Sequence, residues 1–166
     1  MQKLKNNKSI IYATIICIIL LVIDQIIKII IINNNINITI IPNILNIHTV
    51  QNTGGAFGIG RGNTGMFIIT NIVVLGLIVR FIHLQKDFMD KSTLYTLCII
   101  LAGGVGNLID RISRGYVIDF ISIFPNINFP KFNFADIYIT VGWIILAFIF
   151  AVYTYKEIKN SKALKR

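Results

Sequence analysis

The sequence predicts an α-helical integral membrane protein with four transmembrane helices, a small extracytoplasmic β element and a structured outward loop. Composition is the first reason. The 166 residues are 55% hydrophobic and the mean hydropathy is +0.73, too apolar for a water-soluble fold of this length. Segment length is the second. Stretches at approximately 10–32, 66–84, 92–109 and 137–155 can each cross a hydrocarbon core of about 30 Å, which takes roughly 20 helical residues. Charge placement is the third. Lys3, Lys5 and Lys8 precede the first stretch, Arg80, Lys86 and Lys91 flank the turn between the second and third, and Lys156, Lys159, Lys162, Lys165 and Arg166 follow the fourth. The other two connections carry only Arg61 on one, and Arg111, Arg114 and Lys131 on the other. Basic residues thus alternate from side to side, which places both termini and the 85–91 turn in the cytoplasm and the 33–65 and 110–136 segments outside. The net charge of +9 sets topology and touches anionic lipid; nothing in its distribution reads nucleic acid.

The first helix opens on MQKLKNNKSIIYATIICIILL. Its apolar run is too long for a secretory signal and lacks a small-residue cleavage site, so it is read as a retained transmembrane helix. A lipoprotein-type site at Cys17 fails because Ile16 is too bulky for the position before the cysteine. Asp24 and Lys28 lie in this helix; Asp24 is 14 residues past Ile10, roughly 21 Å along the span and in its outer half. The next segment alternates Ile with Asn and Thr, a period-two pattern that predicts short strands over 36–60. Gly54, Gly55, Gly58, Gly60, Gly62 and Gly65 then favour turns and close backbone approach. In the second helix Asn71 reads as an inter-helix hydrogen bonder. The third carries Cys98 and GGVGNLIDR at 103–111; Gly103, Gly104 and Gly106 allow helices to approach closely. The 110–136 segment holds VIDFISIF, apolar enough to lie in the membrane interface, and then Pro125 and Pro130, which break any helix. Asp136 is expected just before the fourth helix. A single membrane-embedded domain is expected over 1–166.

Only seven acidic residues occur, and several gather at one depth. Asn107 and Asp110 end the third helix, Asp136 opens the fourth, Asp24 lies in the outer half of the first, and Asn52 lies in the outward loop. A carboxylate at a bilayer edge is costly to keep ionised, so such a gathering points to a working site. Each residue also has a purely structural reading. Asp24 and Lys28, four apart on one helix face, can simply neutralise each other. Asp110 has the same relation to Arg114 and adjoins Arg111, which favours an ion pair over chemistry. Asp136 can cap the fourth helix. Asp119 is harder to explain away: Val117, Ile118 and Phe120 flank it, and such surroundings raise a carboxyl pKa. If Asp119 and Asp136 meet, repulsion makes them share a proton near neutral pH, the state a two-aspartate peptidase needs. The two histidines, His48 (read as a solvated loop residue) and His83, and the two cysteines offer no metal spacing and no nucleophile–base pair near the cluster. Cys17 and Cys98 read as buried thiols that fill space.

With these residues in view, the chain resembles the lipoprotein signal peptidase (signal peptidase II) family of bacterial membrane aspartyl peptidases. The likeness rests on five motifs in order: Asp24-Gln25 with Lys28, NTGGAF at 52–57, GGVGNLIDR at 103–111, VIDF at 117–120 and FNFAD at 132–136. Val105, where the family often has alanine, is a conservative departure. The resemblance implies an enzyme of the bacterial cytoplasmic membrane that cleaves lipid-modified prolipoproteins just before the lipidated cysteine. It implies Asp119 and Asp136 as the catalytic pair. Asn52, Gly54, Asn107, Arg111, Asn133 and Ala135 match positions that shape the site or hold the substrate backbone, and Asp24 and Asp110 match supporting carboxylates, with Lys28 beside them. It further implies a small sheet that cradles substrate, an outward loop that closes over it and inhibition by globomycin-type cyclic peptides. Four helices suffice for a monomer, and hydrolysis by water and two carboxylates needs no metal or cofactor. Two rival readings remain at this point. An ion-coupled transporter subunit fits intramembrane Asp24 and Lys28, although no inverted repeat is present and the polar groups stop in the outer half. A non-catalytic module that holds lipidated peptides is the other.

Overall fold

The computed structural model describes residues 7–55, 59–127 and 129–163. Ala56 and Phe57 of the NTGGAF motif, Gly58, and the terminal Lys3, Lys5, Lys165 and Arg166 lie outside the described residues. The elements run α1 (Asn7–Asn33), β1 (Asn37–Ile41), β2 (Leu45–Asn52), α2 (Thr64–Gln85), α3 (Lys91–Arg114), β3 (Val117–Ile123), a 3-10 turn (Pro125–Ile127) and α4 (Phe134–Ala163). All four α-helices are long and apolar enough to cross a membrane. The protein is a multi-pass membrane protein.

Every helix is longer than its apolar run, and at α3 and the start of α4 the ends are set by caps rather than by where hydrophobicity stops. α3 begins on Asp90, whose carboxylate accepts from the Thr93 amide (3.1 Å) and hydroxyl (2.6 Å), a side-chain N-cap. It continues through Asp110, Arg111 and Arg114 and stops at Gly115, which is left-handed (φ +81°). The Gly115 N–H closes the last turn onto the Arg111 carbonyl at 3.0 Å. Arg111 and Arg114 therefore stand on the helix, not in the outward loop. α4 likewise starts ahead of its expected first residue, so Asp136 lies inside its first turn rather than before it.

The three other helices pack around α3. Their remaining surfaces are apolar and exposed, for example Ile18, Ile69, Leu77 and Phe148, as lipid-facing surfaces should be. α3 admits its neighbours closely because of its glycines. A Cβ at Gly106 would stand 2.7 Å from Asp24 Oδ2, and one at Gly103 would run into the Ala135 carbonyl. That approach brings polar groups of α1 and α4 against the last turns of α3. Asn71 bonds across helices as expected, from its Nδ2 to the Gly104 carbonyl at 3.0 Å.

The sheet has the order β1-β2-β3, antiparallel throughout. The first two strands fall where alternation predicts them, and His48 sits exposed on β2 rather than in a loop. The third is VIDFISI, expected as an interfacial segment and found as a strand. Its pattern shows no alternation because both faces are covered. Ile118 and Phe120 pack with Ile31, Ile27 and Phe134, while Val117, Asp119 and Ile123 line a cavity. Asp119 pairs with Val50, and Val117 with Asn52. Phe132 is clipped to Ile121 by main-chain bonds in both directions (2.9 and 3.1 Å). The chain entering α4 is thereby tied to β3, which sets Asp136 near Asp119.

Candidate active site

Two layers of charge lie where the sheet meets the helices. The inner layer is centred on Lys28, which is fully buried. Its ammonium has three protons and three acceptors: Asp24 Oδ2 at 2.9 Å, Asp110 Oδ2 at 2.9 Å and Asn107 Oδ1 at 3.2 Å. Asp110 also accepts from Arg114 at 2.7 Å and from the Ile118 amide at 3.2 Å. Asp24 receives the Ala135 amide at 3.0 Å. Two carboxylates thus face two cations, which is how buried charge is kept. The Asp24–Lys28 and Asp110–Arg114 pairs read from helical spacing are both present. That one lysine joins them across helices is not visible in spacing.

Asp119 and Asp136 form the outer layer. Asp119, 2% exposed, accepts from Asn52 Nδ2 and from Asn133 Nδ2, each at 2.8 Å. No cation of the described residues forms an ion pair with it. Burial, and then the charge of Asp136, push its pKa up to about 7; the two asparagine bonds and Lys28 pull weakly the other way. Asp136 accepts from Asn107 Nδ2 at 2.7 Å and from the Asn133 amide at 3.1 Å. Asn133 Oδ1 in turn takes the Asp136 amide at 3.0 Å. That reciprocal pair is a capping box in which Asn133 replaces the usual serine. The helix-capping reading of Asp136 is therefore right, yet only one of its oxygens is spent on it.

Asparagines couple the layers. Asn107 accepts from Lys28 and Asn133 and donates to Asp136, so its amide passes the buried charge on to the outer pair. Asn52 divides its amide similarly, taking the Gly54 N–H at 2.9 Å while giving to Asp119. Arg111 Nη2 donates to the Gly54 carbonyl at 3.0 Å, and its guanidinium lies 5.2 Å from the centre of the Phe67 ring. It does not pair directly with a carboxylate, and its Nε is buried without a partner. Gly54 is tightly enclosed: a Cβ there would sit 2.7 Å from the Ile59 carbonyl.

Asp119, Asp136, Asn52, Asn107 and Arg111 all line one cavity of about 510 Å³, large enough for a peptide segment. Every residue expected at the site is brought to it, with Asp24, Lys28, Asp110 and Ala135 forming its support. Gln25, not assigned a role from sequence, donates toward Asp24 (3.1 Å), the Gly106 carbonyl (3.2 Å) and Asp110 (3.4 Å). Its place beside Asp24 in the first motif was the available signal. Lys131 also lines the cavity, and nothing in its sequence neighbourhood marked it. Among the described residues no cluster of three metal-ligating side chains occurs, and Cys17 and Cys98 remain free thiols in the helices.

Fold and site together define a multi-pass membrane protein with a buried, cavity-facing carboxylate pair at one end of a four-helix bundle. A family model described as signal peptidase (SPase) II matches residues 16–152. A lipoprotein signal peptidase of Dehalococcoides mccartyi is 44% identical over 105 residues, covering 60% of this chain and 64% of its own length. One from Thermodesulfovibrio yellowstonii is 38% identical over 113 residues, covering 67% of this chain and 69% of its own. Two solved structures described as bacterial membrane enzymes superpose with TM-scores of 0.77 and 0.74, each at 31% identity, over 92% and 89% of this chain and 92% and 95% of theirs. The chain belongs to the signal peptidase II family. The match to the Dehalococcoides relative spans just under two thirds of that protein's length.

Proposed function

We propose that the protein is a membrane aspartyl endopeptidase that removes signal peptides from diacylglyceryl-modified prolipoproteins, cutting just before the lipidated cysteine. The observation that carries the reading is the contrast in partners. Asp119 and Asp136 face the cavity with amides only, whereas Asp24 and Asp110 are neutralised by Lys28 and Arg114. The outer pair holds one proton near neutral pH and acts as a unit. Its ionised member takes a proton from water as the water oxygen bonds to the scissile carbonyl carbon; its protonated member hydrogen-bonds the carbonyl oxygen as charge builds there. The tetrahedral intermediate then collapses. The carbon–nitrogen bond breaks, the cysteine amine leaves with the proton taken from water, and the pair returns to sharing one proton. Asn52, Asn107 and Asn133 hold both carboxylates in place, and Arg111 braces the Gly54 backbone at the edge of the cleft.

A lipid-anchored substrate reaches such a site sideways through the bilayer, so the site belongs at the outer leaflet. The protein is read as a single domain over 1–166 and a monomer in the bacterial cytoplasmic membrane, with both termini inside and the cavity outside. Globomycin-type cyclic peptides are read as occupants of the same cavity. Purified protein in detergent is expected to shorten a diacylglyceryl prolipoprotein and leave the unmodified precursor intact. No shortened product from folded protein would remove the peptidase reading. Sidedness is checked with single cysteines in a Cys17- and Cys98-free background and an impermeant thiol reagent on intact cells. Labelling is expected at 52 and 119; labelling at 86 instead would invert the topology.

A further inference from the structure

Lys131 is the one charged residue lining the cavity, among the described residues, that neither the motifs nor the two charge layers use. It lies outside the spanning helices, on the short stretch that carries Phe132 against β3. Among the described residues no carboxylate comes within ion-pair distance of it, and burial lowers its pKa below the usual lysine range with no opposing charge beside it. An ammonium that lines the cavity without a carboxylate partner is free to receive an anionic group there. The other cation of the cavity, Arg111, is already engaged with the Gly54 and Asn107 carbonyls and the Phe67 ring.

The bridge to β3 shows where that anion would lie. Phe132 is bridged antiparallel to Ile121, two positions along β3 from Asp119, and Lys131 comes one residue before Phe132, on the side away from Asp119, and lines the same cavity. At roughly 3.3 Å per extended residue this puts it about 7–10 Å along the strand from Asp119. The cavity also runs past Thr140 and Val141, one turn along α4 from Asp136 and so deeper in the membrane. A substrate whose apolar leader runs into the membrane leaves by that deeper side. Its chain beyond the cut lies on the Lys131 side, at a similar spacing per residue.

Resting on the peptidase reading, we propose that Lys131 is a specificity-determining residue that receives a carboxylate side chain two or three residues beyond the cleaved bond. The enzyme then discriminates among its substrates by the charge just after the lipidated cysteine. Arginine at 131 preserves this preference, glutamine removes it and glutamate inverts it.

The test compares three diacylglyceryl prolipopeptides that differ only in carrying Asp, Asn or Lys at the third residue beyond the cut, in neutral detergent. The wild type is expected to favour Asp over Lys about fivefold in kcat/KM, the range of a partly screened ion pair, with the ratio shrinking as salt rises. Lys131→Gln should bring the ratio near one, Lys131→Glu should reverse it, and Lys131→Arg should keep it. Equal cleavage of all three by the wild type overturns the proposal and leaves the peptidase reading standing; cleavage of none by folded protein overturns both. Repeating the series with phosphatidylglycerol in the micelles separates the other source of anions. A Lys131→Gln defect that appears only with that lipid, and equally for every substrate, assigns Lys131 to headgroups and overturns the proposal. Should the glutamine and glutamate variants not fold, the salt dependence of the wild-type ratio and the arginine variant still decide it.

Discussion

Asp110 and Asp119 invite comparison, because they are the same side chain on successive elements and are 0% and 2% exposed. Burial does not distinguish them; partners do. Asp110 touches Lys28 at 2.9 Å and Arg114 at 2.7 Å, so its charge is matched on both oxygens. Asp119 touches two asparagine amides, which supply hydrogen bonds without cancelling charge. A carboxylate whose oxygens are both held by cations has little left to offer a substrate. One held by amides beside a second carboxylate stays close to exchanging a proton. In the proposed peptidase the two layers divide the labour, the inner one building the site and the outer one reacting.

The largest effects should fall on the outer layer. Asp119→Asn and Asp136→Asn are each expected to cut turnover by about 10²- to 10⁴-fold, the usual contribution of a positioned acid or base, measured as single-turnover cleavage by protein that still elutes as a folded species. Asp136→Asn should also lose a little stability, since both its oxygens accept hydrogen bonds and one of them closes the capping box. Substantial turnover in either variant would erase the distinction between the layers.

Next comes Lys28→Met, which leaves Asp24 and Asp110 facing each other without their shared cation. Breaking a buried ion pair on one side costs about 3–5 kcal/mol, read as a fall in detergent melting temperature. Combining it with Asp24→Asn and Asp110→Asn should restore much of the loss. If the single variant melts like the wild type, the inner cluster is not what holds α1 to α3.

How far the sequence alone reaches follows the same division. The spanning helices are legible because apolar length is a local property, and β1 and β2 are legible because one face of each is polar. β3 is hidden, since VIDFISI is covered on both faces and has no alternation to read. Hydropathy alone stops short at the outward helix ends, where polar residues mimic the membrane edge: α3 runs on to Arg114 and α4 already starts at Phe134. Gly115 was the unread stop for α3, and Asn133, three residues before Asp136, was the unread start for α4. Within the site, i,i+4 spacing shows Asp24–Lys28 and Asp110–Arg114, but the Lys28–Asp110 bridge joins two helices and has no local trace. Asn133 and Ala135 were reached through motif resemblance, not through any physical signal of their own, whereas Asn107 was reached through its depth at the outward end of the third helix. Lys131 was reached by neither route.

A smaller effect is expected at Arg111. Its loss removes a charged hydrogen bond to the Gly54 carbonyl, of a kind worth about 1.5–3 kcal/mol, so Arg111→Ala should cleave roughly 10- to 150-fold more slowly if the bond acts fully in the transition state. Normal activity would confine Arg111 to packing on Phe67. A separate effect, on stability rather than turnover, is the dependence on pH. Because the Asp119 pKa is raised from 3.8 to about 7, the folded state binds more protons than the unfolded state between those values. Its stability therefore falls as pH rises through that window and levels off above it. Asp119→Asn should remove this slope, so its melting temperature should gain on that of the wild type from pH 4 to pH 8. Parallel curves would place the proton elsewhere.

The proton that Asp119 and Asp136 are proposed to share can be looked for directly. Infrared difference spectra of the detergent-solubilised protein at pH 6 and pH 8 are expected to show a protonated carboxyl that disappears at the higher pH. That signal should be absent in Asp119→Asn and retained in folded Asp110→Asn. A wild type with every carboxylate ionised at pH 6, or a signal lost in Asp110→Asn and kept in Asp119→Asn, would contradict the assignment of chemistry to the outer pair.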